Sequence, residues 1–152
     1  AALSSYGGFC QSQLKLLYMP SLLRVDTGVF SLSKIVEVRL SKLSTLASNS
    51  FSFCSLLEKF TALNLLNISE FCFSGCSNLK SVLAPKAIIA NNAFKNCSAL
   101  SLVLAINKDY ESTTYFAQKC NCPQCKGTFQ FCRSNNKMTN CRLDMLNMMD
   151  TY

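Results

Sequence analysis

The chain has 152 residues, 49% of them hydrophobic, and 15 Lys and Arg against 8 Asp and Glu give it a net charge of +7. That length accommodates one domain, or one repeat array with a small appendage, and leaves too little for a second independent core. Histidine is absent and glycines number only 5, which removes histidine-dependent catalysis, mixed Cys/His metal sites and a Gly-rich phosphate loop.

In chain order, Leu14, Ile35, Leu57, Leu79 and Leu100 recur about every 21 to 22 residues, a period typical of solenoid coils. An apolar residue follows each anchor by three positions (Leu17, Val38, Phe60, Val82, Val103) and by five (Met19, Leu40, Ala62, Ala84, Ala105). Positions two apart share a face of an extended segment, so these pairs predict a short inward-facing strand in every coil. The intervening residues then point outward: Leu16 and Tyr18, Glu37 and Arg39, Lys59 and Thr61, Ser81 and Leu83, Leu102 and Leu104. Pro20 and Pro85 fall where the strand should end, because proline fixes φ and has no donor for the ladder.

Ahead of the later anchors stand two further columns, Phe51, Phe73 and Phe94, and Cys54, Cys76 and Cys97; the two copies before Phe51 read as lacking both. Short Ser/Asn/Gly stretches such as Ser74-Gly75 and Asn91-Asn92 suit returns made of tight turns or single helical turns. Free cysteine packs as a small hydrophobe, so the three column cysteines are expected in the core. Neighbouring coils about 4.8 Å apart lie within disulfide range, so two column members could pair, though three in a line cannot all do so. Cys10 and Cys72 fall outside the column and have no assigned partner.

The run Phe73-x-x-Cys76-x-x-Leu79-x-x-Val82-x-Ala84-Pro85, continued by Ala93-Phe94-x-x-Cys97-x-x-Leu100-x-x-Val103, resembles the BspA-like leucine-rich repeat. The resemblance spans residues 9–105, with the closest copies at Phe73 and Phe94. It implies an α/β leucine-rich-repeat solenoid of about five coils, with parallel strands on the concave face and 3-10, short helical or extended returns. Residues 1–105 would form the solenoid and residues 106–152 a cysteine-rich C-terminal cap or tail. The first coil's departures fit a terminal coil, or an array joined partway along.

Half the cysteines, Cys120, Cys122, Cys125, Cys132 and Cys141, follow the last repeat. Cys122-Pro123-Gln124-Cys125-Lys126-Gly127 has the form of a zinc knuckle, and Cys132 and Cys141 would complete four thiolates for a structural zinc. Lys119, Lys126 and Arg133 would help keep those thiolates ionised. The competing reading is a disulfide-closed cap, for which five cysteines leave one over. Apolar residues at helical spacing, Leu143, Met145, Leu146, Met148 and Met149, suggest a short final helix over the open coil end, or a partner contact.

Scattered basic residues form no stripe for nucleic acid, and no apolar run reaches the roughly 20 residues that span a bilayer. No secretory leader is visible in the first residues, yet the chain starts Ala-Ala-Leu, which leaves a processed start open. The Asn-x-Ser triplets at Asn67 and Asn96 permit glycosylation in a secretory setting. BspA-like proteins often act at microbial surfaces, so the resemblance favours a secreted or surface protein without catalysis. Its expected role is binding a protein partner through the concave sheet, with Tyr18, Glu37, Arg39, Lys59, Leu83 and Leu104 as contact residues. The alternative is an intracellular assembly component with a zinc-stapled tail.

Overall fold

A computed structural model of the chain describes residues 1–4, 7–100 and 102–104. Ten short strands appear there: β1 (Ala2–Leu3), β2 (Leu16–Tyr18), β3 (Arg24–Val25), β4 (Glu37–Arg39), β5 (Thr45–Leu46), β6 (Lys59–Thr61), β7 (Asn67–Ile68), β8 (Ser81–Leu83), β9 (Ile88–Ile89) and β10 (Leu102–Leu104). The even-numbered strands form one parallel ladder, here the front sheet, and the odd-numbered strands form a second, the side sheet. Together they wind a solenoid of about four turns.

The front sheet lies where the three-column periodicity puts it. Val38 pairs with Phe60 and Phe60 with Val82, all inward and fully buried. Anchors Ile35, Leu57 and Leu79 are fully buried, whereas Leu14 is 41% exposed because no described coil lies on its other side. Met19 follows the end of β2: its carbonyl accepts from Leu22 N–H across a turn that holds Pro20, and Ala84 O accepts from Ala87 N–H across Pro85 in the same way.

The side sheet was not expected. Its inward residues Val25, Leu46, Ile68 and Ile89 and the preceding Leu22, Leu43, Leu65 and Ala87 form two more buried ladders. Strands of two residues are too short to show an alternation of their own.

The return leg supplies a third hydrogen-bonded flank. Phe30 N–H donates to Ser50 O (2.9 Å), Phe51 to Cys72 O (2.9 Å) and Phe73 to Ala93 O (2.8 Å). Here the expectation for the early copies needs correcting: Phe9 and Phe30 do belong to the phenylalanine column. Rings stack from Phe9 through Phe30, Phe51 and Phe73 to Phe94, with centroids 5.1 to 5.8 Å apart. The first two copies carry one residue fewer between phenylalanine and anchor, which moved their rings out of a fixed-offset register. Ser33 likewise stands where later coils have cysteine, its Oγ 3.3 Å from Cys54 Sγ.

No helix occurs among the described residues, and the backbone explains the extended and turn form of the returns. Each return holds two left-handed residues, one on either side of its phenylalanine. The first column is Gly7, Gly28, Asn49, Phe71 and Asn92; the second is Gln11, Leu32, Phe53, Gly75 and Asn96. Two positive φ values within five residues interrupt any right-handed helical run.

Leu32 holds φ +59° while 49% exposed, so it bears the left-handed cost without the burial that would offset it. Replacing it with Asn, the residue at the equivalent Asn96, is expected to stabilise the chain by about 0.5 to 1 kcal/mol. Urea unfolding measures this, and a loss of stability would show that the contacts of Leu32 outweigh its backbone strain.

Cys54, Cys76 and Cys97 are buried free thiols, as packing predicted. Each Sγ donates to the phenylalanine carbonyl one coil back: Cys54 to Phe30 O (3.1 Å), Cys76 to Phe51 O (3.0 Å) and Cys97 to Phe73 O (3.0 Å). Burial pushes Cys97 up to about 12 and also raises Cys76, whose hydrogen bond with Cys54 adds to the effect. Cys76 and Cys97 are therefore protonated donors at neutral pH, whereas hydrogen bonds with Cys76 and Ser33 outweigh burial at Cys54 and lower it. Cys72, unassigned from sequence, is also fully buried in a column with Val29, Ser50 and Ala93, and burial raises it further still. Cys10 is exposed.

Candidate functional site

The outward face of the front sheet consists of two rows, set by strand register. One runs Leu16, Glu37, Lys59, Ser81, Leu102; the other runs Tyr18, Arg39, Thr61, Leu83, Leu104. On β2, β4, β6 and β8 strand alternation puts these side chains opposite the core ladders, where they can vary without repacking the interior.

Exposure is uneven along the rows. Leu16 and Tyr18 are 57% and 59% exposed, Glu37 and Arg39 are half-buried, and Lys59 is exposed. Leu83, predicted as contact area, is only 3% exposed and Thr61 is buried beside it. Alternation fixes the side to which a residue points, but not what lies over it. Leu83 has registered neighbours on both sides, Thr61 and Leu104, whereas Tyr18 has only Arg39. The exposed side chains described on this face, Leu16, Tyr18 and Lys59, therefore lie on the first three coils. Leu104 stands in register with Leu83.

The charged centre is partly neutralised within itself. Arg39 donates through Nε and Nη2 to Glu37 Oε1, each at 2.7 Å, two residues away on the same strand face. A forked guanidinium contact of this kind orients both side chains, though its half-exposed position limits its contribution to stability. Lys59 is the cation in this patch with no ion pair among the described residues, and it sits in register with Glu37. A second charge pair, Lys80 to Glu58 at 2.9 Å, bridges two coils at the strand entry. The pairing of Arg39 with Glu37 follows from strand geometry, since residues two apart on a strand share a face.

The zinc candidates Cys122, Cys125, Cys132 and Cys141, the C-terminal cap and the Met-rich segment lie outside the described residues. Among the described residues no group of three or more Cys, Asp or Glu is placed to hold a metal ion. No described helix is long and apolar enough to cross a membrane.

Stacked short strands, inward ladders of identical columns and an outward face free to vary define a parallel β-solenoid repeat protein. A family model described as BspA type leucine rich repeat region matches residues 5–123 in 6 copies. The chain belongs to that family, and the match extends beyond residue 105, the last position of the sequence columns. No curated protein matches the chain, and no solved structure does. Membership points to a protein-interaction module of a typically non-enzymatic kind, in a family often associated with cell surfaces.

Proposed function

We propose that the chain is an adhesion module, secreted or held at a cell surface, that binds a protein partner through the outward face of its first three front strands. The observation that carries this reading is the exposure of Leu16 and Tyr18, at 57% and 59%, beside the Glu37–Arg39 pair and Lys59. A large aromatic bordered by oriented charge has the composition of an interface hot spot, apolar at its centre and polar at its rim. Nothing in the core depends on these side chains, which is what a variable recognition surface requires. Leu83, being buried, drops out of the contact set, and Leu104, on the fifth front strand, lies outside the three-strand face proposed here.

The test is a double variant, Tyr18→Ala with Lys59→Glu, measured by surface plasmon resonance against host-cell and matrix proteins that the unaltered chain binds. Binding is expected to weaken at least about tenfold, a loss of about 1.4 kcal/mol or more. Exposed substitutions of this kind change folding stability by about 0.5 kcal/mol or less, so the thermal midpoint should hold. Undiminished binding by the double variant would assign recognition to another face.

A further inference from the structure

The side sheet carries an apolar patch that the proposed binding face leaves unexplained. Leu66 and Ile88 are 52% and 54% exposed and adjoin in the ladder, Ile88 N–H donating to Leu66 O at 2.9 Å. Between them in register stands Asn67, exposed on β7 and paired with Ile88. Asn67 opens the triplet Asn67-Ile68-Ser69, so the one modifiable amide on this sheet lies against its two most exposed apolar side chains.

We propose that Asn67 is an N-glycan acceptor and that the first sugars of the glycan lie over Leu66 and Ile88. The proposal rests on the reading of the chain as secreted or surface-held. In the transfer, Nδ2 of Asn67 bonds to the anomeric carbon of an N-acetylglucosamine carried on a lipid pyrophosphate. The bond from that carbon to the pyrophosphate oxygen breaks, its electron pair leaves with the lipid pyrophosphate, and the amide gives up one proton to a base of the transferase. Ser69 constrains when this occurs. Its Oγ donates to Leu46 O at 2.8 Å within the folded coil and is half-buried, so the hydroxyl the triplet requires is free only before that coil closes. Transfer therefore takes place on the nascent chain.

Asn96 provides an internal comparison. It also heads a triplet and is exposed, but it sits in a left-handed turn between Lys95 and Cys97, the first exposed and charged and the second buried. In its column the exposed ring of Phe53 lies two coils back, across Gly75, so a sugar there is not seated between two adjoining apolar side chains of one ladder.

The experiment is secretion of the full chain, behind a leader, from a eukaryotic host, with peptide mass mapping before and after amidase release of glycans. The same sequences made in a bacterial cytoplasm provide unmodified controls. Expected results are a glycan on Asn67 and a thermal midpoint at least about 2 °C lower for secreted Asn67→Gln than for secreted parent. The two cytoplasmic proteins should melt together, and Asn96→Gln should leave the secreted midpoint unchanged. An unmodified Asn67, or a glycan there with no shift in midpoint, overturns the proposal. Because the leader imposes the route, that failure is separate from failure of the localisation, which surface proteolysis of native cells reads directly.

Discussion

Phe73→Ala is expected to cost about 3 to 5 kcal/mol, a large part of the 5 to 15 kcal/mol that holds a typical domain folded. Its ring is fully buried and lies in parallel stacks with Phe51 (5.8 Å, 12°) and Phe94 (5.5 Å, 11°), with Phe60 edge-on at 4.8 Å. The size of the cost depends on whether the walls can close on the space left behind. They are held apart here: Phe73 N–H donates to Ala93 O at 2.8 Å and Cys72 O accepts from Phe51 N–H at 2.9 Å, so the coil spacing is fixed from both sides. A solenoid transmits stability only between neighbours, so the gap also weakens the junction between the coils before and after it. Urea unfolding of the variant should therefore show a lower midpoint and a shallower slope, as the two halves cease to melt together. Phe9→Ala tests the same column at its end, where the ring is 40% exposed and, among the described residues, stacks on Phe30 alone at 5.4 Å. Its loss should be less than half that of Phe73, and equal losses would mean that stacking along the column is not what the rings contribute.

The front sheet was legible because its signal is strictly local. Anchor, anchor+3 and anchor+5 keep their offsets in all five copies, so Val38, Phe60 and Val82 fall into one ladder from spacing alone. The returns were not, for two physical reasons. Losing one residue between Phe30 and Ile35 shifts a column in sequence without moving it in space, because the turn absorbs the difference. The left-handed positions are filled by Gly28, Asn49 and Phe71 in succession; a backbone requirement met by such different side chains leaves little pattern to detect. At the binding face, direction was legible and cover was not: Tyr18 and Leu83 occupy one row, yet the first is open and the second buried.

Gly75→Ala should cost about 2 to 3 kcal/mol, and the cost should depend on a residue one coil away. Gly75 holds φ +77°, and a Cβ there would sit 2.6 Å from Cδ1, 2.9 Å from Cε1 and 3.3 Å from Cγ of Phe53. Its backbone has little freedom to retreat, since its N–H donates to Lys95 O at 2.8 Å and its carbonyl accepts from Ser77 N–H at 3.0 Å. Two penalties therefore add: the left-handed conformation, worth about 1 to 2 kcal/mol for a residue with a Cβ, and the displacement of the ring from its seat. A double-mutant cycle separates them. In a Phe53→Asn background the ring is gone and Asn tolerates the positive φ that position 53 itself requires, so Gly75→Ala should then cost only the conformational part. The difference between backgrounds, about 1 kcal/mol, measures the contact between ring and glycine. An identical cost in both would mean that the ring swings aside freely and that Gly75 is needed for its φ alone. A coupling of the expected size would instead explain why a phenylalanine that is 57% exposed can persist at a left-handed position: its ring lies in the space that the next coil leaves by having glycine there.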